Sequence, residues 1–323
     1  MEARRRRRPG WLRILFGAGL LGLLLAWVDW ERSAEILGGA QLSFVAAATL
    51  AVVAGMVFSS WKWLLLLRAN QIPLRARSAL ECYWIGNFFS NYLPTNVGGD
   101  VVRYALLRKF GRPAEVAASL LVERLMGFLV LVGLVALALF ARPAYYAIHG
   151  LQVVLWLAVA GAGIAIAVLL TAGRPVLRAT ERWAEGGDGL IGRWLPRVRS
   201  LAAAVETYRR RPRTLALAVL LSVGFYAVLI GFHYLVLRAV GIDLGLLEVA
   251  FLAPVIPFVS LLPVSLNAIG LAEGAFVLFY HQAGVSTEAA LAAAILRRLI
   301  LLGVSLIGGA LWLMHGRVQL TRT

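Results

Sequence analysis

Long apolar stretches separated by arginine-bearing loops dominate the chain. Six of them, Leu12–Trp30, Leu42–Leu67, Ala114–Phe140, Ile148–Ala172, Arg213–Val240 and Thr287–His315, predict full membrane-crossing helices. Each approaches the ~20 residues a helix needs to traverse the hydrocarbon core. The predicted fold class is all-α integral membrane, with residues 1–323 forming a single transmembrane domain.

Two other apolar regions are broken in the middle. Leu80–Leu93 and Val101–Phe110 flank Leu93-Pro94-Thr95-Asn96-Val97-Gly98-Gly99-Asp100, and Leu246–Leu262 and Leu271–Gln282 flank the stretch from Pro263 through Asn267 and Gly270 to Glu273. Each interruption runs proline, polar patch, glycine, carboxylate. Pro94 and Pro263 are the expected hinge points. Broken backbone at membrane depth is tolerated only where protein or water covers it, and a matched pair of breaks in two halves points to a transporter-like central site. Each region is either a re-entrant helical hairpin or a pair of tilted crossings; both keep the same ends on the same sides.

Charge then orients the layout. The formal net charge is +16, and arginine supplies nearly all of the positive side. Arg4–Arg8, Arg68, Arg75, Arg77, Arg108, Lys109, Arg112, the stretch from Arg174 to Arg213, Arg317 and Arg322 all fall on one side. Arg32, Arg142 and Arg238 fall on the other, together with Asp29, Glu31, Glu35, Asp243 and Glu288. By the positive-inside rule both termini are expected in the cytoplasm of a cell-membrane protein. Basic residues beside apolar spans need no nucleic-acid partner. The Arg4–Arg8 and Trp11–Val28 segment is expected to be a retained anchor, because Asp29-Trp30-Glu31 is a poor cleavage site.

In this layout residues 42–140 and 213–315 form two repeats of opposite orientation, each a span, a broken hairpin and a span. Asp100 and Glu273 precede Arg124 and Arg297 by the same spacing. Residues 173–212 form a basic loop whose mixture of arginine with Leu, Val, Trp and Tyr suits either a surface-lying amphipathic piece or plain topology-setting charge.

The candidate binding residues lie at the breaks and inside the spans. Asn91, Asn96, Gly98, Gly99 and Asp100 form a polar, close-approach turn into the returning helix, where Asp100 is either a cap or a site residue. Arg103 shares its face. Glu123 and Arg124 in the third span, and Glu273, Arg297 and Arg298 in the second half, are charges that must face protein or water. Arg124 is expected to reach Asp100 or a lipid phosphate, and Glu123 to reach Arg297 or Arg298. These groups form either a helix-locking ion-pair network or a headgroup site. Lys62, between Trp61 and Trp63, is expected to snorkel to the interface. Gly17, Gly22, Gly161, Gly303 and Gly308 are expected to be small-residue packing positions. Cys82 stands alone, and no histidine spacing makes a metal site. No catalytic residue, cofactor or ATP-binding loop is expected.

The run Asn91-Tyr92-Leu93-Pro94, Gly98-Gly99-Asp100-Val101-Val102-Arg103 and Glu123-Arg124-Leu125 resembles the first signature of the lysylphosphatidylglycerol synthase transmembrane-region family. Pro263, Gly270, Glu273, Gly284 and Arg298-Leu299 resemble its second. The resemblance implies a flippase-like protein moving a phospholipid, hopanoid or polyprenyl-linked lipid between leaflets. The family signature favours Arg298 as counterpart of Arg124, whereas fixed spacing favours Arg297. The bifunctional synthases carry an aminoacyl-transferase domain; this sequence ends at Thr323, so it is not expected to make the aminoacyl lipid itself. The expected partners are membrane lipids and a lipid-modifying enzyme. The alternatives are an integral-membrane enzyme on a lipid-linked phosphate or sugar, and a non-transporting partner subunit of a lipid-modifying synthase.

Overall fold

The computed structural model describes residues 30–93, 98–108, 112–146, 151–171, 190–261 and 268–314. The first anchor, Pro94, Asn96, Pro263, Asn267, Gly17 and Gly22 lie outside these residues. So do residues 173–189 of the expected basic loop, whose remainder holds a helix, Leu190–Arg209.

Every regular element among the described residues is helical. In chain order they are α1 (Trp30–Gly38), α2 (Leu42–Ala69), α3 (Ala76–Tyr92), α4 (Gly98–Leu107), α5 (Pro113–Ala141), a 3-10 turn (Pro143–Tyr146), α6 (Leu151–Thr171), α7 (Leu190–Arg209), α8 (Pro212–Ala239), α9 (Leu246–Leu252), α10 (Val255–Ser260), α11 (Leu271–Gln282) and α12 (Thr287–Met314). Four of these, α2, α5, α8 and α12, are long and apolar enough to cross a bilayer. Their ends fall within about two residues of the ends expected from the apolar runs. Both α5 and α8 start with proline in the first turn, where its fixed φ suits the helix and its missing N–H costs nothing.

The interrupted regions are short helices. At 1.5 Å rise per residue, α4 with 10 residues and α11 with 12 fall well short of a hydrocarbon core of ~30 Å. The first arm of the second region breaks again, into α9 and α10, at Ala253-Pro254. The chain enters α11 through positive-φ backbone at Ala268 and Gly270, a conformation that glycine adopts without a side-chain clash.

Helix α2 packs against α8, and α3 against α12. Glycines permit the close approaches. A β-carbon on Gly308 would lie 2.0 Å from the Trp84 carbonyl oxygen, and one on Gly224 would lie 2.9 Å from the Phe58 ring. Gly161 and Gly303, expected as packing positions, instead have nothing within 4 Å of such an atom. They face away from their neighbours, so small size there serves no contact.

The two ends of the bundle differ in charge. At one end Asn70 follows α2. Its amide donates to the Tyr208 hydroxyl at 2.9 Å, that hydroxyl donates to the Leu66 carbonyl at 2.9 Å, and Arg112 donates to the Asn70 carbonyl at 2.8 Å. Burial raises the Tyr208 phenol above its usual pKa, which keeps the proton it donates. Arginines 68, 75, 209, 210 and 211 gather near this end. At the other end Gln41 N–H donates to the Ala239 carbonyl, and Tyr146 reaches the Phe251 carbonyl. Much of the outer surface between the ends is apolar, with Leu50, Leu137, Leu157 and Leu220 exposed, as a lipid-facing surface requires.

Candidate functional site

The first site cluster grows out of the tight packing of α3 on α4. Gly99 sits where a β-carbon would lie 2.2 Å from the Gly86 carbonyl oxygen and 2.1 Å from the Ser90 hydroxyl. This contact turns the start of α4, with Gly98 and Gly99 buried, toward the bundle axis. Asp100 follows in the first turn of α4, where the helix dipole favours a carboxylate.

Asp100 binds two arginines. Its Oδ1 accepts from Arg103 and its Oδ2 from Arg124. Arg103 also donates to Glu123 Oε2 at 2.8 Å, and Tyr83 donates to Glu123 Oε1 at 2.9 Å. The Arg103 guanidinium lies 4.9 Å from the Trp63 ring centroid and 4.5 Å from that of Tyr83. A planar, weakly hydrated cation suits such a box of two carboxylates and two aromatic rings.

Glu123 was expected to reach Arg297 or Arg298; it pairs with Arg103 instead. Adjacent residues on a helix point about 100° apart, so Arg124 and Glu123 reach different partners around α5. The aromatic walls, Trp63 and Tyr83, carried no separable sequence signal, because aromatic residues in spans usually serve packing or the interface.

The second cluster centres on Glu273 in the first turn of α11. Its Oε2 accepts the Gly270 backbone N–H at 2.8 Å, one half of a capping box. Its Oε1 accepts from Arg298 Nε at 2.7 Å and lies 3.6 Å from Arg297. Arg298 therefore makes the contact that corresponds to Arg124 on Asp100, in agreement with the signature rather than with fixed spacing. Arg297 is buried, with its guanidinium 6.0 Å from the Phe276 ring. Phe276 stands three residues after Glu273, where Arg103 stands after Asp100.

The clusters open onto adjoining cavities. One, of about 560 Å³, is lined by Lys62, Tyr83, Asp100, Arg103, Glu123 and Arg124, among others. The other, of about 310 Å³, is lined by His233, Arg297 and Arg298. Both share Ser90, Arg124, Pro257 and Leu261 as wall. Residues from α3, α5, α10 and α12 thus surround one region. Asn91 does not line either cavity; its amide donates to the Asn87 carbonyl one turn back.

Lys62 departs most from expectation. It does not snorkel. It is 5 % exposed, donates to the Ser222 hydroxyl at 3.2 Å and faces the larger cavity. The sequence suggested an interface lysine because tryptophans flank it; only Trp61 is exposed, whereas Trp63 is buried beside Arg103. Among the described residues no group of three or more His, Cys, Asp or Glu side chains is placed to hold a metal ion.

Membrane-crossing helices, short helices at two breaks and charged residues buried between them define an integral membrane protein of the helical class. The match to the lysylphosphatidylglycerol synthase TM region spans residues 10–309, and the chain belongs to this family. It is 22% identical to a UPF0104 membrane protein of Pyrococcus horikoshii over 95% of this chain and 98% of the other. It is 24% identical to a UPF0104 membrane protein of Methanothermobacter thermautotrophicus over 91% of each. It is also 26% identical to the glycosyltransferase AglD of Haloferax volcanii, over 96% of this chain but 55% of that protein.

Proposed function

We propose that this protein moves a phosphate-bearing lipid between membrane leaflets, in a flippase-like manner. The observation that carries the reading is the pair of adjoining cavities lined by the arginines of the two arginine–carboxylate clusters. Buried charges in a span are costly and mark substrate paths more often than packing. The headgroup would enter between the broken regions while its chains stay in lipid. Arg124 and Arg298 would keep Asp100 and Glu273 and offer their remaining donors to the phosphate, since a guanidinium has five N–H groups and matches phosphate as well as carboxylate. The same reading takes residues 42–140 and 213–315 as inverted repeats, the protein as a cell-membrane protein with cytoplasmic termini, and its action as transport rather than catalysis.

The test is translocation of a fluorescent phospholipid and a fluorescent polyprenyl phosphate in liposomes carrying the purified protein. Asp100→Ala and Arg124→Ala are expected to abolish movement. If both variants fold and move lipid at the wild-type rate, the site assignment is wrong.

A second reading is a non-transporting partner of a glycosyltransferase. The likeness to 55% of a longer protein named a glycosyltransferase favours it. Co-purification with such an enzyme, together with no lipid movement in liposomes, is its signature.

A further inference from the structure

Within the proposed lipid site, we infer that the headgroup carries two negative charges and no amine: a phosphate monoester or a diphosphate diester on a lipid, with Lys62 and Arg297 as two of its ligands. This rests on the reading of the cavity as a lipid site. Three observations narrow that reading.

The first is the balance of charge. Lys62, Arg103, Arg124, Arg297 and Arg298 line the two adjoining cavities, against Asp100 and Glu123 in their walls and Glu273 paired with Arg297 and Arg298. Five cations meet three carboxylates, an excess of two positive charges in a poorly solvated space. A headgroup with two negative charges neutralises it. A zwitterionic or cationic headgroup would leave the excess in place or enlarge it.

The second is that each of the three carboxylates is already engaged. Asp100 holds Arg103 and Arg124, Glu123 holds Arg103 and Tyr83, and Glu273 holds Arg298 and the Gly270 N–H. An aminoacyl or choline headgroup would need one of them as its counter-charge and would have to strip an arginine to obtain it.

The third is that two buried cations keep unused donor capacity. An ammonium has three donors. Lys62 has one hydrogen bond, to the neutral Ser222 hydroxyl. Glu123, in the wall of the same cavity, is committed to Arg103. Arg297 is 8 % exposed; its guanidinium lies 3.6 Å from Glu273 Oε1, which Arg298 already engages, and its Nε has no hydrogen-bond partner among the described residues. Lys62 lines the larger cavity and Arg297 the smaller one. A ligand spanning both would place an anionic oxygen at each.

The test is binding to the intact, detergent-purified protein, free of any transport readout. The probes are farnesyl phosphate, a farnesyl-diphospho-glucose diester, a short-chain phosphatidylcholine and a short-chain lysyl-phosphatidylglycerol. Wild-type protein is expected to bind the two farnesyl probes at least about tenfold more tightly than the zwitterionic and cationic lipids. Lys62→Met and Arg297→Gln should each remove most of that preference. Lys62→Arg, which keeps the charge, should retain the preference and controls for folding. A better fit to the diphosphate than to the monophosphate identifies a diphosphate diester as the natural class; the reverse identifies a monoester.

Equal or tighter binding of lysyl-phosphatidylglycerol or phosphatidylcholine overturns the inference, even if liposomes show that the protein moves those lipids. A preference that survives both Lys62→Met and Arg297→Gln overturns the assignment of these two residues. Selective binding without movement of any lipid would sink the transport reading and leave this inference standing.

Discussion

Gly99 rests on the backbone of Gly86: a β-carbon at position 99 would lie 2.2 Å from the Gly86 carbonyl oxygen and 2.9 Å from its carbonyl carbon. The Ser90 hydroxyl, at 2.1 Å, could rotate away, but the Gly86 obstacle belongs to the main chain of a helix and cannot. Gly99→Ala is therefore expected to separate α3 from α4 and displace Asp100. A loss of about 1–3 kcal/mol in stability, the usual cost of overpacking, should appear as a lower unfolding temperature in detergent.

Arg103 is the electrostatic keystone of the first cluster. Removing it leaves Asp100 with Arg124 alone and Glu123 with a phenol as its remaining hydrogen-bond partner. Arg103→Met is expected to cost about 3–5 kcal/mol, because it strands buried charge. Arg103→Lys should recover only part of this, since an ammonium cannot fork between two carboxylates while lying flat on Trp63 and Tyr83. Urea or thermal unfolding of the three proteins gives the order.

Glu273 does two jobs that different substitutions separate. Glu273→Gln keeps an oxygen for the Gly270 N–H but loses the charge that holds Arg298; Glu273→Ala loses both. The expected order of stability is wild type, then Gln, then Ala. The last step should be about 1 kcal/mol, the usual value of an N-terminal cap. Equal stability of the two variants would remove the cap from this account.

Two glycines of α12 make a matched control. Gly308→Ala meets the Trp84 carbonyl at 2.0 Å and should destabilise the α3–α12 contact by about 1–3 kcal/mol. Gly303→Ala meets nothing within 4 Å, and should change stability by no more than about 0.5 kcal/mol.

Tyr208 ties α7 to the end of α2. Tyr208→Phe removes a donor to the Leu66 carbonyl and an acceptor for Asn70. The expected loss is about 1 kcal/mol. Hydrogen exchange should speed up in α7 and around Asn70, while the center of α8 stays unchanged.

The crossing helices were legible because the length of an apolar run fixes the length of helix that lipid will accept. Leu42 and Thr287 start α2 and α12 in both readings. The breaks were legible from proline and glycine, since backbone chemistry is local. The pairings were not. Whether Glu123 meets Arg103 or Arg297, and whether Lys62 points to lipid or to the cavity, depends on how each helix is rotated against its neighbours, and the spacing within one helix does not encode that rotation. Arg297 and Arg298 show the same limit. Either could answer Glu273 by sequence; rotation of α12 gives Arg298 the contact at 2.7 Å and turns Arg297 toward Phe276.

Helix α2 lies against α8, and α3 against α12, so the early and late portions of the polypeptide are laced through each other. A hinge between two separable lobes would have to unpick the seats of Phe58 on Gly224 and of Trp84 on Gly308. The long helices therefore act as a fixed frame. Tilting the stubby segments α10 and α11 would widen the interior chamber and leave both of those seats untouched, whereas α4 is held by its own seat, Gly99 on Gly86.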